Sequence, residues 1–138
     1  MDDKIITDLI KIMPLMHRKF FHNMRRQDLK KNTMVLMSIY KHSGHTMTYY
    51  CDKLVISKPN FSKVINDFID LGYVERKDDK VDRRKTNLFI TEKGISEAKT
   101  REAILFKVFR EQLEHFSKDE LEELHEHVLG IHKILNRL

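Results

Sequence analysis

One change of hydrophobic period limits what this chain can fold into. Apolar residues recur every three or four positions along most of the sequence, but from Tyr73 the pattern changes to the alternating one in two short segments, 73–77 and 86–91, with a charged loop between them. The first spacing is typical of one helical face and the second of a β-strand, so we predict a mainly helical chain with one hairpin, its strands at 73–77 and 86–91. A lone hairpin is marginally stable at best in water, so this one must pack on the helices before it.

Six helices are predicted around the hairpin. They cover about 3–27, 33–44, 46–54, 58–71, 92–116 and 117–138. Pro14 is expected to kink the first helix, because proline removes a backbone donor. The expected N-caps are Asn32 or Thr33, Thr46, Ser57 and the Ser117 capping box. The fourth helix should bury a stripe made of Phe61, Val64, Ile65, Phe68 and Leu71.

Length and composition indicate a single cytoplasmic domain without a cofactor. The 138 residues suit one core, no apolar run reaches the roughly 18 residues of a membrane span, and the N-terminus lacks the pattern of a signal peptide. A single Cys cannot form an internal disulfide, and the eight His have no zinc-finger spacing. We expect no enzyme, because the sequence has neither a glycine-rich phosphate loop nor a nucleophile with an evident base. We also expect no membrane partner.

Charge is distributed unevenly around a net value of +5. Residues 76–85 contain six Lys or Arg against three Asp, whereas residues 111–127 contain seven Asp or Glu against one Lys. The acidic segment would repel a phosphate backbone, so it should point away from any nucleic acid.

Residues 46–71 follow the plan of a helix-turn-helix, whose second helix lies in the major groove of DNA. The polar face left on that helix carries donors and acceptors suited to phosphates and base edges. Its candidate DNA-binding residues are Ser57, Lys58, Asn60, Ser62, Lys63 and Asn66.

The loop between the two strands is a charged wing tip. Arginine is favoured in narrow minor grooves by their enhanced negative potential, so a wing of this kind can reach into one. Asp82 is expected to orient Arg84 through a charge-assisted hydrogen bond, although a solvated turn remains an alternative. The candidate wing residues are Lys80, Asp82, Arg83, Arg84 and Lys85.

The last helix predicts a partner helix. Its apolar residues alternate steps of three and four, which is the a/d seam of a coiled coil. The candidate dimerisation residues, with two from the first helix, are Ile5, Leu9, Leu121, Leu124, Val128, Ile131 and Leu135.

Three blocks in order resemble the MarR-type winged helix-turn-helix transcriptional regulators. They are Ser57-Lys58-Pro59-Asn60-Phe61-Ser62-Lys63, then Phe68-Ile69-Asp70-Leu71-Gly72-Tyr73-Val74-Glu75-Arg76, then Asp82-Arg83-Arg84 with Ile90-Thr91-Glu92-Lys93-Gly94. The resemblance implies one domain, with residues 1–31 and 92–138 as dimerisation helices and 32–91 as the winged helix-turn-helix. Val55 stands where the family usually has Gly.

The resemblance also implies a function. It implies a cytoplasmic homodimer that binds a pseudo-palindromic operator in double-stranded DNA, acts as a repressor, and is released by a small aromatic or anionic effector. The candidate effector pocket consists of His17, Arg18, Phe20, Phe21, Met37 and Tyr40, for which ordinary core packing is the alternative.

Other interpretations are less favoured. Cys51 lies on an apolar face, so we expect a packing thiol and no redox sensor. A metal site formed by His17, His22, His42 and His45 is not expected, because no carboxylates stand at ligand spacing. A winged-helix module that binds proteins without a DNA target is the main alternative function.

Overall fold

The computed structural model describes residues 3–22 and 32–138, and this part of the chain is mainly helical with one two-stranded sheet. The elements in chain order are α1 (Asp3–Met16), a π-helical turn (His17–Phe21), α2 (Thr33–Lys41), α3 (Met47–Leu54), α4 (Lys58–Asp70), β1 (Val74–Asp78), β2 (Thr86–Ile90), α5 (Glu92–Leu113) and α6 (Lys118–Leu135). The predicted fold class, a mainly helical chain with a two-stranded wing, is confirmed.

The chain divides into two compact units. One consists of Met1–Met24 with Phe106–Leu138, and the other, which we call the winged unit, consists of Arg25–Leu105. The helix-turn-helix and the hairpin both lie in the winged unit.

The core of the winged unit joins its helices to the hairpin. Side chains from α2, α3, α4 and β2 are fully buried together, among them Leu36, Tyr50, Phe61, Ile65 and Leu88. This apolar cluster provides the support that the hairpin needs, since two strands alone would not be stable.

The turn between α3 and α4 is a Schellman motif without glycine. The Ile56 N–H donates to the Cys51 carbonyl at 3.0 Å, and the Val55 N–H donates to the Asp52 carbonyl at 3.4 Å. Val55 adopts φ 54° and ψ 48°, the left-handed conformation that this motif requires of the residue after the helix. A β-branched residue is rarely found there, so the turn that leads into α4 carries backbone strain.

The hairpin is tied to the turn before α3. β1 and β2 pair antiparallel with Arg76 opposite Leu88. On its other side β2 exchanges backbone bonds with that turn, from the Gly44 N–H to the Leu88 carbonyl at 2.7 Å and from the Leu88 N–H to the His45 carbonyl at 2.9 Å. Both ends of the helix-turn-helix are therefore fixed to the hairpin, at this turn and through the loop that follows α4.

Thr91 closes the base of the hairpin. Its hydroxyl donates to the Gly72 carbonyl at 2.6 Å and accepts from the Gly94 N–H at 3.0 Å. Gly94 lies so close to the chain that a Cβ there would stand 2.1 Å from the Tyr73 carbonyl oxygen. The Thr-x-x-Gly pattern in the sequence thus reflects close packing of α5 against the loop after α4.

The other unit contains α1, the π-helical turn, the end of α5 and α6. Phe109 stacks on Phe20 with ring centroids 4.7 Å apart and meets the edge of Phe21 at 5.7 Å. The predicted capping box begins α6: the Ser117 hydroxyl accepts from the Glu120 N–H at 3.2 Å, and the Glu120 carboxylate accepts from the Ser117 N–H at 2.8 Å.

Several predicted details differ from the structure. Leu71 was expected in the buried stripe of α4, but it lies just beyond the helix and is 47% exposed. The hairpin begins one residue later, at Val74, and α5 ends at Leu113 rather than near Phe116. Of the predicted caps, the Thr46 hydroxyl accepts from the Tyr49 N–H, whereas neither Asn32 nor Ser57 caps its helix with the side chain.

The first helix also differs from its prediction. The α-helix passes through Pro14 and ends at Met16, after which the backbone widens into the π-helical turn. The rest of the predicted helix, residues 23–27, lies outside the described residues. None of the helices in the described ranges combines the length and the apolar character needed to cross a membrane.

Candidate nucleic-acid interface

The predicted reading face of α4 is open to solvent. Phe61, Ile65 and Phe68 turn inward and are buried, which leaves the opposite side of the helix uncovered. The six candidate residues are exposed or, for Ser62, half-buried: Ser57, Lys58, Asn60, Ser62, Lys63 and Asn66. The apolar stripe thus fixes which polar side chains point outward.

The wing tip is organised by Asp79, a residue that the sequence analysis did not single out. One carboxylate oxygen accepts from the Val81 and Asp82 N–H groups at 2.8 and 3.1 Å, and the other accepts from the Asn87 amide at 3.1 Å. These hydrogen bonds hold the pKa of Asp79 below its ordinary value, the bond from the Asp82 N–H contributing most. The sequence contains one signal for this role, namely an Asp in a loop followed by residues whose backbone N–H groups need hydrogen-bond acceptors.

Asp82 contacts Arg84 as predicted. Its carboxylate accepts from the Arg84 N–H at 3.1 Å and from the Arg84 Nε at 3.2 Å. The Arg84 side chain is nevertheless 92% exposed, whereas that of Asp82 is 32% exposed. Asp82 therefore provides both local turn bonding and an anchor for a guanidinium that remains in solvent.

A cationic cleft separates the start of α4 from the wing. Its volume is about 430 Å³. The lining residues are Thr46, Met47, Thr48, Lys58, Ser62, Arg84, Lys85 and Thr86. Three of them are cations and three are threonine hydroxyls, while none of the described lining residues is a carboxylate, so the chemistry of the cleft suits an anion such as a phosphate.

The N-terminal ends of α3 and α4 both lie at this cleft. Thr46 is the N-cap of α3, and Lys58 is the first residue of α4. Backbone N–H groups at a helix start carry partial positive charge, which adds to the charge of the lining cations. Thr46 and Thr48 were not predicted as site residues, because nothing in their own sequence indicates that β2 would come beside them.

The remaining wing candidates lie around the same tip. Lys80 and Arg83 are exposed outside the cleft, while Lys85 lines it and its N–H donates to the Asp82 carbonyl at 2.9 Å. Asn66 is engaged within the protein, because its side-chain oxygen accepts from the Arg76 Nη2 at 2.8 Å. Arg76 belongs to the sequence blocks above but was not assigned a role.

The candidate dimerisation residues are uncovered in the single chain. The exposed fractions of Leu124, Val128, Ile131 and Leu135 on α6 range from 40% to 52%, and Leu121 is half-buried. On α1, Ile5 and Leu9 are 59% and 48% exposed. Apolar surface of this extent on two long helices is typical of an interface.

The candidate effector residues fall into two groups. His17, Phe20 and Phe21 lie in the π-helical turn, where His17 stacks near Phe21 at 6.0 Å and the two phenylalanines contact Phe109. Arg18 is exposed in the same turn. In the winged unit, Met37 and Tyr40 pack against the core. The effector pocket stays a prediction.

Cys51 is a buried packing residue. It is 5% exposed within the core cluster, and burial raises the pKa of its thiol. Among residues 3–22 and 32–138, no three His, Cys, Asp or Glu side chains come together in a way that could hold a metal ion.

Residues 30–85, which include α2, α3, α4, β1 and the wing tip, match the model of the MarR family. This segment is a MarR-family winged helix-turn-helix. No curated protein sequence matches the chain.

Solved structures with the MarR fold superpose on nearly the whole chain. BldR from Sulfolobus solfataricus has a TM-score of 0.76 at 24% identity, over 99% of this chain and 97% of BldR. Wild-type MarR from E. coli, in its apo form, has 0.75 at 17% identity, over 91% and 94%. MepR from S. aureus, solved with DNA, has 0.62 at 18% identity, over 100% and 99%. At these identities the likeness establishes the fold.

Proposed function

We propose that this MarR-type chain is a non-enzymatic transcription regulator that binds a specific sequence in double-stranded DNA. The observation that carries the proposal is the cationic cleft, where Lys58 of α4 and Arg84 and Lys85 of the wing line one opening and no carboxylate of the described part of the chain joins them. A phosphate backbone running between α4 and the wing would meet cations from both sides and two helix N-termini.

The reading face of α4 has the side chains for the major groove. The groove is about 12 Å wide and admits one α-helix. Lys63 carries three donors that suit guanine acceptors or phosphates, and Asn60 can pair with the adenine edge. Both are exposed, so they need no rearrangement of the core to meet DNA.

The wing supplies the second contact. Arg84 extends from a tip that Asp79 and Asp82 hold in shape, and its side chain is uncovered. An arginine whose backbone N–H and Nε are both held loses less rotamer freedom on binding than one on a disordered loop. We propose that Arg84 enters the minor groove beside the major groove that α4 occupies.

Two neighbours support a DNA partner. MepR from S. aureus and FabT from Streptococcus pneumoniae were both solved in complex with DNA, and they share the fold at TM-scores of 0.62 and 0.64. The backbone fold that they share with this chain is therefore one that binds DNA in those two proteins.

We further propose that the chain acts as a homodimer and a repressor. The exposed seam of α6 gives an apolar face that pairs with its own copy, because a two-fold interface uses the same residues on both sides. Two reading helices related by a two-fold axis match a pseudo-palindromic site with half-sites one helical turn apart. A dimer bound over a promoter would exclude polymerase.

Release by a small aromatic or anionic effector completes the proposal. The aromatic group of His17, Phe20, Phe21 and Phe109 offers stacking surfaces at the π-helical turn. π-Helical turns are frequent at functional sites. Among the neighbours, PefR from Streptococcus agalactiae is a heme sensor solved with heme, at 20% identity and a TM-score of 0.57.

The test is selection of bound fragments from sheared genomic DNA at low and moderate salt. The wild type is compared with Arg84→Ala and with Lys118→Ala, which removes an exposed cation from the acidic helix α6. Wild type and Lys118→Ala should enrich the same two-fold-symmetric site, and Arg84→Ala should enrich it weakly. Absence of enrichment by the wild type at both salts would contradict the proposal and favour a protein-interaction module.

A further inference from the structure

A hydrogen bond joins the reading helix to the edge strand of the wing. The Arg76 Nη2 on β1 donates to the Asn66 Oδ1 on α4 at 2.8 Å. Asn66 lies four residues after Ser62 and eight residues after Lys58, so all three share one face of α4. Ser62 and Lys58 line the cationic cleft. The bond therefore acts on a side chain of the proposed DNA surface.

The chemistry of the two groups determines how the amide of Asn66 is turned. A guanidinium has only donors, so it must face the Oδ1 and not the Nδ2 of an asparagine. The bond leaves one lone pair on Oδ1 and both hydrogens on Nδ2 available. This is the pattern that pairs with adenine, whose N6 amino group donates and whose N7 accepts.

Arg76 has no competing partner in the described ranges. It forms no ion pair with a carboxylate within residues 3–22 and 32–138, and the carboxylate of its neighbour Glu75 lies 4.0 Å from the Lys77 ammonium instead. The positive charge of Arg76 thus stands beside the reading face of α4 without an ion pair among the described residues. The Asn66 amide is held by a group that remains compatible with nearby phosphates.

We propose that Arg76 is a positioning residue, which fixes the Asn66 amide so that it reads one adenine in the bound DNA. The inference rests on the proposed function and adds a specificity determinant to it. Arg76 acts on base preference through Asn66, and it also contributes one positive charge to the surface. These two effects are separable, because the first concerns a single base pair and the second concerns all sequences equally.

The test measures binding to the selected site and to all single base-pair substitutions of it. Asn66→Ala should lose the preference for one A·T pair by about 5- to 150-fold, the range for one bidentate contact. Arg76→Met removes the donors and the charge, and it should weaken the same preference while leaving those at other base pairs intact. Arg76→Lys keeps the positive charge, so the salt dependence of binding should be that of the wild type, whereas the preference for the A·T pair should remain as weak as in Arg76→Met.

Two comparisons make the result specific. Lys77→Met removes the neighbouring exposed cation, which lies over the Phe89 ring at 5.0 Å, and it should keep the pattern of preferences. The double variant of Arg76→Met and Asn66→Ala should show the same preferences as Asn66→Ala alone, since the effects of coupled residues do not add.

Uniform loss of affinity in Arg76→Met, with every base preference retained, would overturn the inference while leaving the proposed function in place. A wild type that binds no DNA would overturn both. A measurement without DNA gives an independent check. In NMR spectra of Arg76→Met, the side-chain NH₂ signals of Asn66 should shift to the averaged positions of an amide that is no longer held in one orientation. Unchanged Asn66 signals in a folded variant would also overturn the positioning role.

Discussion

Val55→Gly is predicted to stabilise the protein. Val55 adopts φ 54° at the end of α3, where the Schellman motif needs a left-handed residue. For a residue with a Cβ, that conformation costs about 1–2 kcal/mol of conformational free energy, whereas glycine has no such cost. The Val55 side chain is 92% exposed, so removing it costs almost no buried apolar surface.

The net gain is smaller than the strain because glycine also gains freedom in the unfolded chain. That freedom costs about 0.5–1 kcal/mol. The difference leaves about 0.7 kcal/mol of added stability, which raises Tm by roughly 2–3 °C for a chain of this size. Reversible thermal or urea unfolding followed by circular dichroism measures it.

Val55→Ala is the matched control, since alanine removes the β-branch but keeps the Cβ in the strained conformation. It should gain less than Val55→Gly. Because the backbone of the turn is unchanged, DNA affinity at 25 °C should equal that of the wild type. A folded Val55→Gly variant that is no more stable than wild type would refute the strain assigned to this turn.

Four further predictions concern the wing, the seam and the core. Arg84→Ala should weaken binding to the selected DNA by about 1–3 kcal/mol, measured by fluorescence anisotropy, with the oligomeric state unchanged. Val128→Asp with Ile131→Asp should yield monomers by sedimentation and abolish operator binding; a dimer would show that the seam is no interface. Cys51 should react with iodoacetamide more slowly than a free thiol at the same pH, because burial raises its pKa, and its contribution to stability should be lost as pH rises above the ordinary thiol range. Asp79 has a lowered pKa, so the wing tip should stay ordered at pH values above the ordinary Asp range and lose that order as pH falls below it. Amide NMR should show this change in the wild type and not in Asp79→Asn.

The sequence was sufficient to predict most of the winged unit. The helical spacing of Phe61, Ile65 and Phe68 fixes which side of α4 is buried and hence which polar residues face outward. The Asp82 contact to Arg84 could also be predicted, because both partners lie in one tight loop. Local pattern and local chemistry agree in these places.

What could not be predicted depends on residues distant in the sequence. Thr46 and Thr48 join the cationic cleft only because β2 packs beside the start of α3, and the Arg76 contact to Asn66 spans α4 and β1. Spacing alone predicts Leu71 in the buried stripe, but the helix ends before it and the chain turns at Gly72. Periodicity does not determine where a helix stops.

The most direct test of the DNA surface is the salt dependence of binding to the selected duplex. We predict that the logarithm of the binding constant falls linearly with the logarithm of the salt concentration, because cations of α4 and the wing displace counterions from phosphates. Arg84 also lines the cationic cleft, so Arg84→Ala should reduce the slope by about 0.9, the value for one cation that neutralises a phosphate. Lys118→Ala should leave the slope unchanged. Binding that does not depend on salt, or a slope that Lys118→Ala reduces and Arg84→Ala does not, would contradict the account.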